Sequence, residues 1–122
     1  MLEDDLRTIL AEAMTGTAVY SRMIPSEVPE GITVQEIGGR SSTAGIRRNY
    51  RTVSIMAYSS DRDRAGEIVR DARNILIESI PATINGTHYY TAKALADGTL
   101  KMKQRAGPRY VAYVDMEVGC SL

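Results

Sequence analysis

The sequence predicts an α+β domain, a mixed, mostly antiparallel sheet with two helices packed on one face. Three observations lead there. Over residues 50–58, Val53, Ile55 and Ala57 alternate with Thr52, Ser54, Met56 and Tyr58, the period-two pattern of a strand with one apolar face. Immediately afterwards Ala65, Ile68, Val69, Ala72, Ile75, Leu76 and Ile80 recur at helical spacing, which places them on one stripe of a helix. Beyond Pro81, β-prone runs alternate with turn signals, the mark of a meander that extends the same sheet.

In chain order, the first element is a helix. Leu2, Leu6, Ile9, Leu10, Ala13 and Met14 recur every three or four residues, Glu3, Asp4 and Asp5 suit the positive end of a helix dipole, and Gly16 suits its stop. Val19 and Tyr20 support a brief extended piece. Pro25 and Pro29 keep the next residues out of regular structure, and 32–37 reads as a strand. After the strand at 50–58, Ser59 or Ser60 is placed to cap the second helix, with Asp61 and Asp63 in its first turn. Arg64, Glu67 and Arg70 form its wet side, and Pro81 ends it. Asn85-Gly86 is the strongest short hairpin signal in the chain. A strand follows at 87–94, then a turn at Asp97-Gly98, a strand with a basic outer face through Lys101, Lys103 and Arg105, and a turn at Ala106-Gly107-Pro108. Tyr110, Ala112, Val114, Met116 and Val118 make one face of a closing strand, with Val111, Tyr113, Asp115 and Glu117 on the other.

With 122 residues the chain is read as a single domain, 1–122, able to bury one core, and with no Phe or Trp that core must be built of Ile, Val, Leu, Met and Tyr. Formal charge is zero, which gives no overall attraction to nucleic acid or membrane. That zero conceals a segregation: residues 1–36 hold seven acids and two bases, whereas 37–51 hold Arg40, Arg47, Arg48 and Arg51 and no acid. Such halves can fold against each other or against a neighbouring copy, although ordinary solvated surface is the simpler reading, since exposed ion pairs contribute only about 0–1 kcal/mol. Cys120 is the lone cysteine, so no intrachain disulfide is expected. No leader pattern is expected at the amino end, and no apolar run approaches the ~20 residues of a membrane span.

Residues 38–49 are polar and glycine-rich, and they read as a long flexible loop of the kind that orders on meeting a partner or DNA. Glycines beside Ser, Thr and Arg can cradle phosphate, but no Gly-Lys-Ser/Thr follows and the loop enters a strand, not a helix. Catalytic, metal and cofactor residues are not expected. His88 is the only histidine and reads as structural, Cys120 lies too near the end to be walled from water, and one His with one Cys cannot make a usual transition-metal site.

Taken together, the order of these elements resembles the tail terminator, or tail completion, proteins of long-tailed bacteriophages, often labelled minor capsid proteins. The resemblance rests on Val19-Tyr20 and Pro25, the Tyr50-Arg51-Thr52-Val53 strand running into a helix, Ile84-Asn85-Gly86-Thr87-His88-Tyr89-Tyr90, and the closing Pro108-Arg109-Tyr110-Val111-Ala112-Tyr113-Val114, and it spans nearly the whole chain. It implies a non-enzymatic virion protein of the tail and neck, assembled in the host cytoplasm. Such a protein forms a homohexameric ring that caps the tail tube, ends its polymerisation and joins tail to head completion protein. Genome DNA passes through the lumen without sequence-specific binding, and no membrane is involved. Under this reading Arg40, Arg47, Arg48 and Arg51 contact an adjoining subunit, the tube or passing DNA, and Tyr50, Met56 and Tyr58 face another subunit. The alternative is a small α+β ligand-binding or regulatory module with its pocket between sheet and helices.

Overall fold

The computed structural model describes residues 2–22, 24, 28–41, 48–104 and 107–121; of 39–41, 48–49, 100–104 and 107–108 it describes the backbone alone. Two helices, α1 (Leu2–Ala13) and α2 (Arg62–Ser79), cover one face of a six-stranded sheet. The strands are β1 (Val19–Ser21), β2 (Gly31–Ser41), β3 (Arg48–Ser59), β4 (Ala82–Ile84), β5 (Thr87–Gln104) and β6 (Gly107–Ser121), and they lie in the order β1-β2-β3-β6-β5-β4. Every neighbouring pair is antiparallel except β1 with β2. The α+β class and the placement of both helices on one face are as the periodicities predict.

The core lies between helices and sheet. Leu6 and Leu10 of α1, Ala65, Ile68, Ala72 and Leu76 of α2, Ile32 and Val34 of β2, Val53, Ile55 and Ala57 of β3, and Ala112, Val114, Met116 and Val118 of β6 are buried together. Each large aliphatic side chain removed from water contributes about 1.5–3 kcal/mol, so the stripe and the alternation dictate which way each element turns. Tyr89 of β5 is the largest fully buried side chain, standing where another chain would place Phe or Trp.

The local signals act as expected at several joints. Gly16, at φ 90°, follows the end of α1. Asn85 and Gly86 have φ of 50° and 82°, both positive as a two-residue hairpin turn of the primed type requires. Ile80 is extended before Pro81, its N–H still donating to the Leu76 carbonyl at 3.2 Å, and the Ile80–Pro81 peptide is cis.

Four expectations are corrected. Strand β2 continues past residue 37, and Gly38 to Ser41 pair with Thr52 to Asn49, so the ends of the expected 38–49 loop are strand. A ladder joins backbone groups whatever the side chains, so a polar composition did not stop it, and a bulge between Glu36 and Gly38 accommodates the change of register. Residues 42–47 lie outside the described residues. The cap of α2 is Asp61, whose Oδ1 accepts from the Asp63 N–H at 3.0 Å, while Ser59 Oγ accepts from the Asp61 N–H and donates to Glu30. Asp97-Gly98 is no turn: β5 runs unbroken through it, Gly98 opposite Tyr113. The glycine is there because a Cβ would stand 2.8 Å from the Tyr113 ring, which lies across the strand at that point. Gly107 and Pro108 likewise belong to β6, paired with Gln104 and Lys103. The side chains of the expected basic face at 101–105 lie outside the described residues.

Candidate functional site

The sheet face away from the helices carries Tyr50, Met56 and Tyr58 of the residues expected to meet a partner. Register puts Tyr50, Thr52, Ser54, Met56 and Tyr58 of β3 on that face, beside Arg109, Val111, Tyr113, Asp115 and Glu117 of β6. No helix covers it among the described residues, yet it is not a simple wet face. Ser54, Thr33, Val111 and Arg109 are buried there. Arg109 donates from Nη2 to the Val28 carbonyl at 2.6 Å and lies 5.7 Å from the Tyr58 ring centroid, a cation over an aromatic face. The Tyr58 hydroxyl reaches Met56 Sδ at 3.5 Å. The Tyr50 ring lies against Gly119, 3.5 Å from where a Cβ would stand. Tyr50, Met56 and Tyr58 are therefore half-buried among their own neighbours, each with part of its side chain open to solvent.

The arginines divide. Arg51 pairs with Glu36 at 3.2 Å, so one base of the middle segment meets one acid of the front within the same chain. Arg40 and Arg48 lie in β2 and β3, at the ends of the strands that pair there, but their side chains, like all of Arg47, lie outside the described residues. Further pairs knit the acidic front to its surroundings: Arg22 with Glu3 at 3.0 Å, and Arg64 with Glu30 at 3.4 Å.

Asp5 has a role that a helix-start reading misses. It is wholly buried, accepting from Asn85 Nδ2 at 2.8 Å and from the Tyr89 hydroxyl, and so ties α1 to the β4–β5 hairpin. Burial, and then the Asp5 carboxylate, push the Tyr89 phenol above the ordinary tyrosine range. A hint lay in the sequence, since Asp5 falls on the Leu2, Leu6, Ile9 stripe. Glu3 is also structural: its Oε2 accepts from the Glu36 N–H at 2.7 Å, at the β2 bulge. Burial raises its pKa, but the Glu36 N–H and the Arg22 guanidinium outweigh that and hold Glu3 below the usual carboxylate range. His88 Nδ1 shares a 2.7 Å hydrogen bond with Thr83 Oγ1, and its ring meets Tyr90 edge to face. Cys120, expected to lack walls against water, is instead buried in the core between β3 and β5, because β6 runs to Ser121, and that burial pushes its thiol up.

Concave surface is modest. A cleft of about 230 Å³ between α2 and the β5–β6 pair is lined by Arg70, Arg73, Asp97 and Tyr113, and a groove of about 340 Å³ separates the end of α1 from α2. Among the described residues, no three His, Cys, Asp or Glu side chains cluster as a metal site would need, and no helix is long and apolar enough to cross a membrane.

No family model and no curated protein matches this sequence. The fold does have solved counterparts. The chain is similar to one from the virion of a native gene transfer agent particle, with a TM-score of 0.72 and 15% identity over 98% of this chain and 95% of that one. A second solved chain aligns with a TM-score of 0.53 and 10% identity over 96% and 89%. The first likeness spans the chain end to end, so both proteins share one fold, including the helix-and-sheet order that the sequence predicts.

Proposed function

We propose that this chain is a structural virion protein that forms a ring on the tail tube, ends tail polymerisation and joins the tail to the head completion protein. The observation that carries the reading is the end-to-end likeness to a chain of a gene transfer agent virion, at a TM-score of 0.72. The order of elements read from the sequence points the same way. The role asks for surfaces, not reactive groups, and it is non-enzymatic. Six copies form the ring, genome DNA passes through its lumen without base recognition, and Arg40, Arg47 and Arg48 serve as contacts to a neighbour, the tube or that DNA. The chain works in the virion neck after assembly in the host cytoplasm.

The test is mass by light scattering together with electron microscopy of the purified chain, alone and mixed with the tube protein encoded with it. The expected result is a six-fold ring, free or seated on tube ends, lost on charge reversal of Arg40, Arg47 and Arg48 together. A chain that stays monomeric under both conditions and carries a bound metabolite would overturn the proposal in favour of a ligand-binding module.

A further inference from the structure

Both edges of the sheet are stepped. Strand β1 flanks β2 only at residues 32–34, and β4 flanks β5 only at 87–89. Among the described residues no strand lies outside 35–41 of β2 or 90–104 of β5. The two short strands stand at opposite ends of the sheet. The β1 residues lie on rows that run through Ile55 to Ala57 of β3, whereas the β4 residue Ala82 lies on the row through Tyr89, Cys120 and Asn49. Where one edge has its extra strand, the other is bare.

Each bare stretch also contains a bulge, and each bulge carries an exposed apolar side chain. Ile37, between Glu36 and Gly38, is 52% exposed, and Leu95, between Ala94 and Ala96, is 48% exposed. The two bulges sit at one height in the sheet, because Glu36 pairs with Val53, Val53 with Met116, and Met116 with Ala94. A bare edge presents unpaired N–H and C=O groups that template another strand, and proteins that stay apart place charge or proline at such points. Both edges carry charge, Glu36 and Arg40 on β2 and Lys93, Asp97, Lys101 and Lys103 on β5, but at the Ile37 and Leu95 bulges the residue is apolar.

We propose that a second copy of this chain covers these edges, joined head to tail. Strand β1 of one copy lies antiparallel along the bare edge of β5 in its neighbour, the neighbour's β4 lies parallel along the bare edge of β2, and Ile37 meets the neighbour's Leu95 between them. The strand directions follow from the pairing within the sheet, since β2 runs opposite to β5 and β4 runs with β2. The occupant is a copy, not an unrelated protein, because one edge is cut to the outline of the other and the two apolar residues flank one row, Glu36–Val53–Met116–Ala94. A foreign partner needs only one such edge. The contact joins two different patches, so its repetition closes a ring or extends a filament. It rests on the ring reading above and says where the joint lies.

Three variants test it in a Cys120→Ala background: Ile37→Cys, Leu95→Cys and the two combined. With a short bismaleimide, the expected result is a crosslinked dimer when the single variants are mixed, none with either alone, and a ladder of multimers from the combined variant. Ile37→Asp, still folded by circular dichroism, is expected to weaken self-association by about tenfold or more. Crosslinking of Ile37→Cys with itself indicates a two-fold contact and overturns the proposal. Multimers by light scattering without any 37-to-95 product overturn the joint while leaving a ring; a monomer throughout sinks both.

Discussion

Asp5 shows how a single carboxylate can be drawn out of a helix-start motif and into the core. With Asn85 and Tyr89 both donating to it, Asp5→Ala strands the buried Tyr89 hydroxyl and takes one partner from the exposed Asn85 amide, and should cost about 1–3 kcal/mol. Tyr89→Phe removes one donor, leaving the other partner in place, and should cost about 1–2 kcal/mol. Urea denaturation measures both, and a loss under 0.5 kcal/mol for Asp5→Ala would contradict a buried, doubly bonded carboxylate. Glu3 makes a prediction in pH. Its folded pKa is depressed, so its contribution is fully present above the unfolded-state value and is lost as pH falls through the folded one. The stability gap between the parent and Glu3→Gln should therefore be open at neutral pH and close below the ordinary carboxylate range; a gap that widens with acid is the contrary result. Neither role could be read from local pattern alone, because Asn85 and Tyr89 lie some 80 residues away in the chain and only the fold brings them to Asp5.

Among the elements, α2 and β5 show opposite degrees of legibility. The apolar stripe of α2 was plain, since helical spacing and burial are the same fact seen twice, and only the capping residue was misplaced. Serine, aspartate and serine all suit a cap, and the choice of Asp61 is made by Ser59 turning back to Glu30. Asp61→Ala should cost about 1 kcal/mol and Ser60→Ala close to nothing, by thermal unfolding. In β5, Asp97-Gly98 carried the usual signal of a turn but serves a cross-strand contact. Gly98→Ala should destabilise by about 1 kcal/mol in the parent and far less in a Tyr113→Ala background, so a double-mutant cycle reads the coupling directly. Equal costs in both backgrounds would mean that the ring does not rest on that glycine.

For the molecule as a whole, the proposed joint between stepped edges would link stability to assembly. If copies bind one another only when folded, the unfolding temperature must rise with protein concentration, and Ile37→Asp should remove that dependence while leaving the dilute value in place. Differential scanning over a hundredfold range of concentration makes the comparison, and a flat profile for the parent chain is the outcome that counts against association. What the sequence by itself determined was the kind of elements, their order, and which side of each faces the core, because period two and period 3.6 translate directly into burial. It also located the Asn85-Gly86 hairpin, where conformational preference is a property of two residues. Only the tertiary structure decided that the closing strand lies at the centre beside β3, that β5 runs through its apparent turn, and that Ile37 and Leu95 flank one row at opposite edges. Strand order and register are set by contacts between residues far apart in the chain, and a backbone ladder accepts almost any side chain, so the local pattern carries no record of which strand lies beside which.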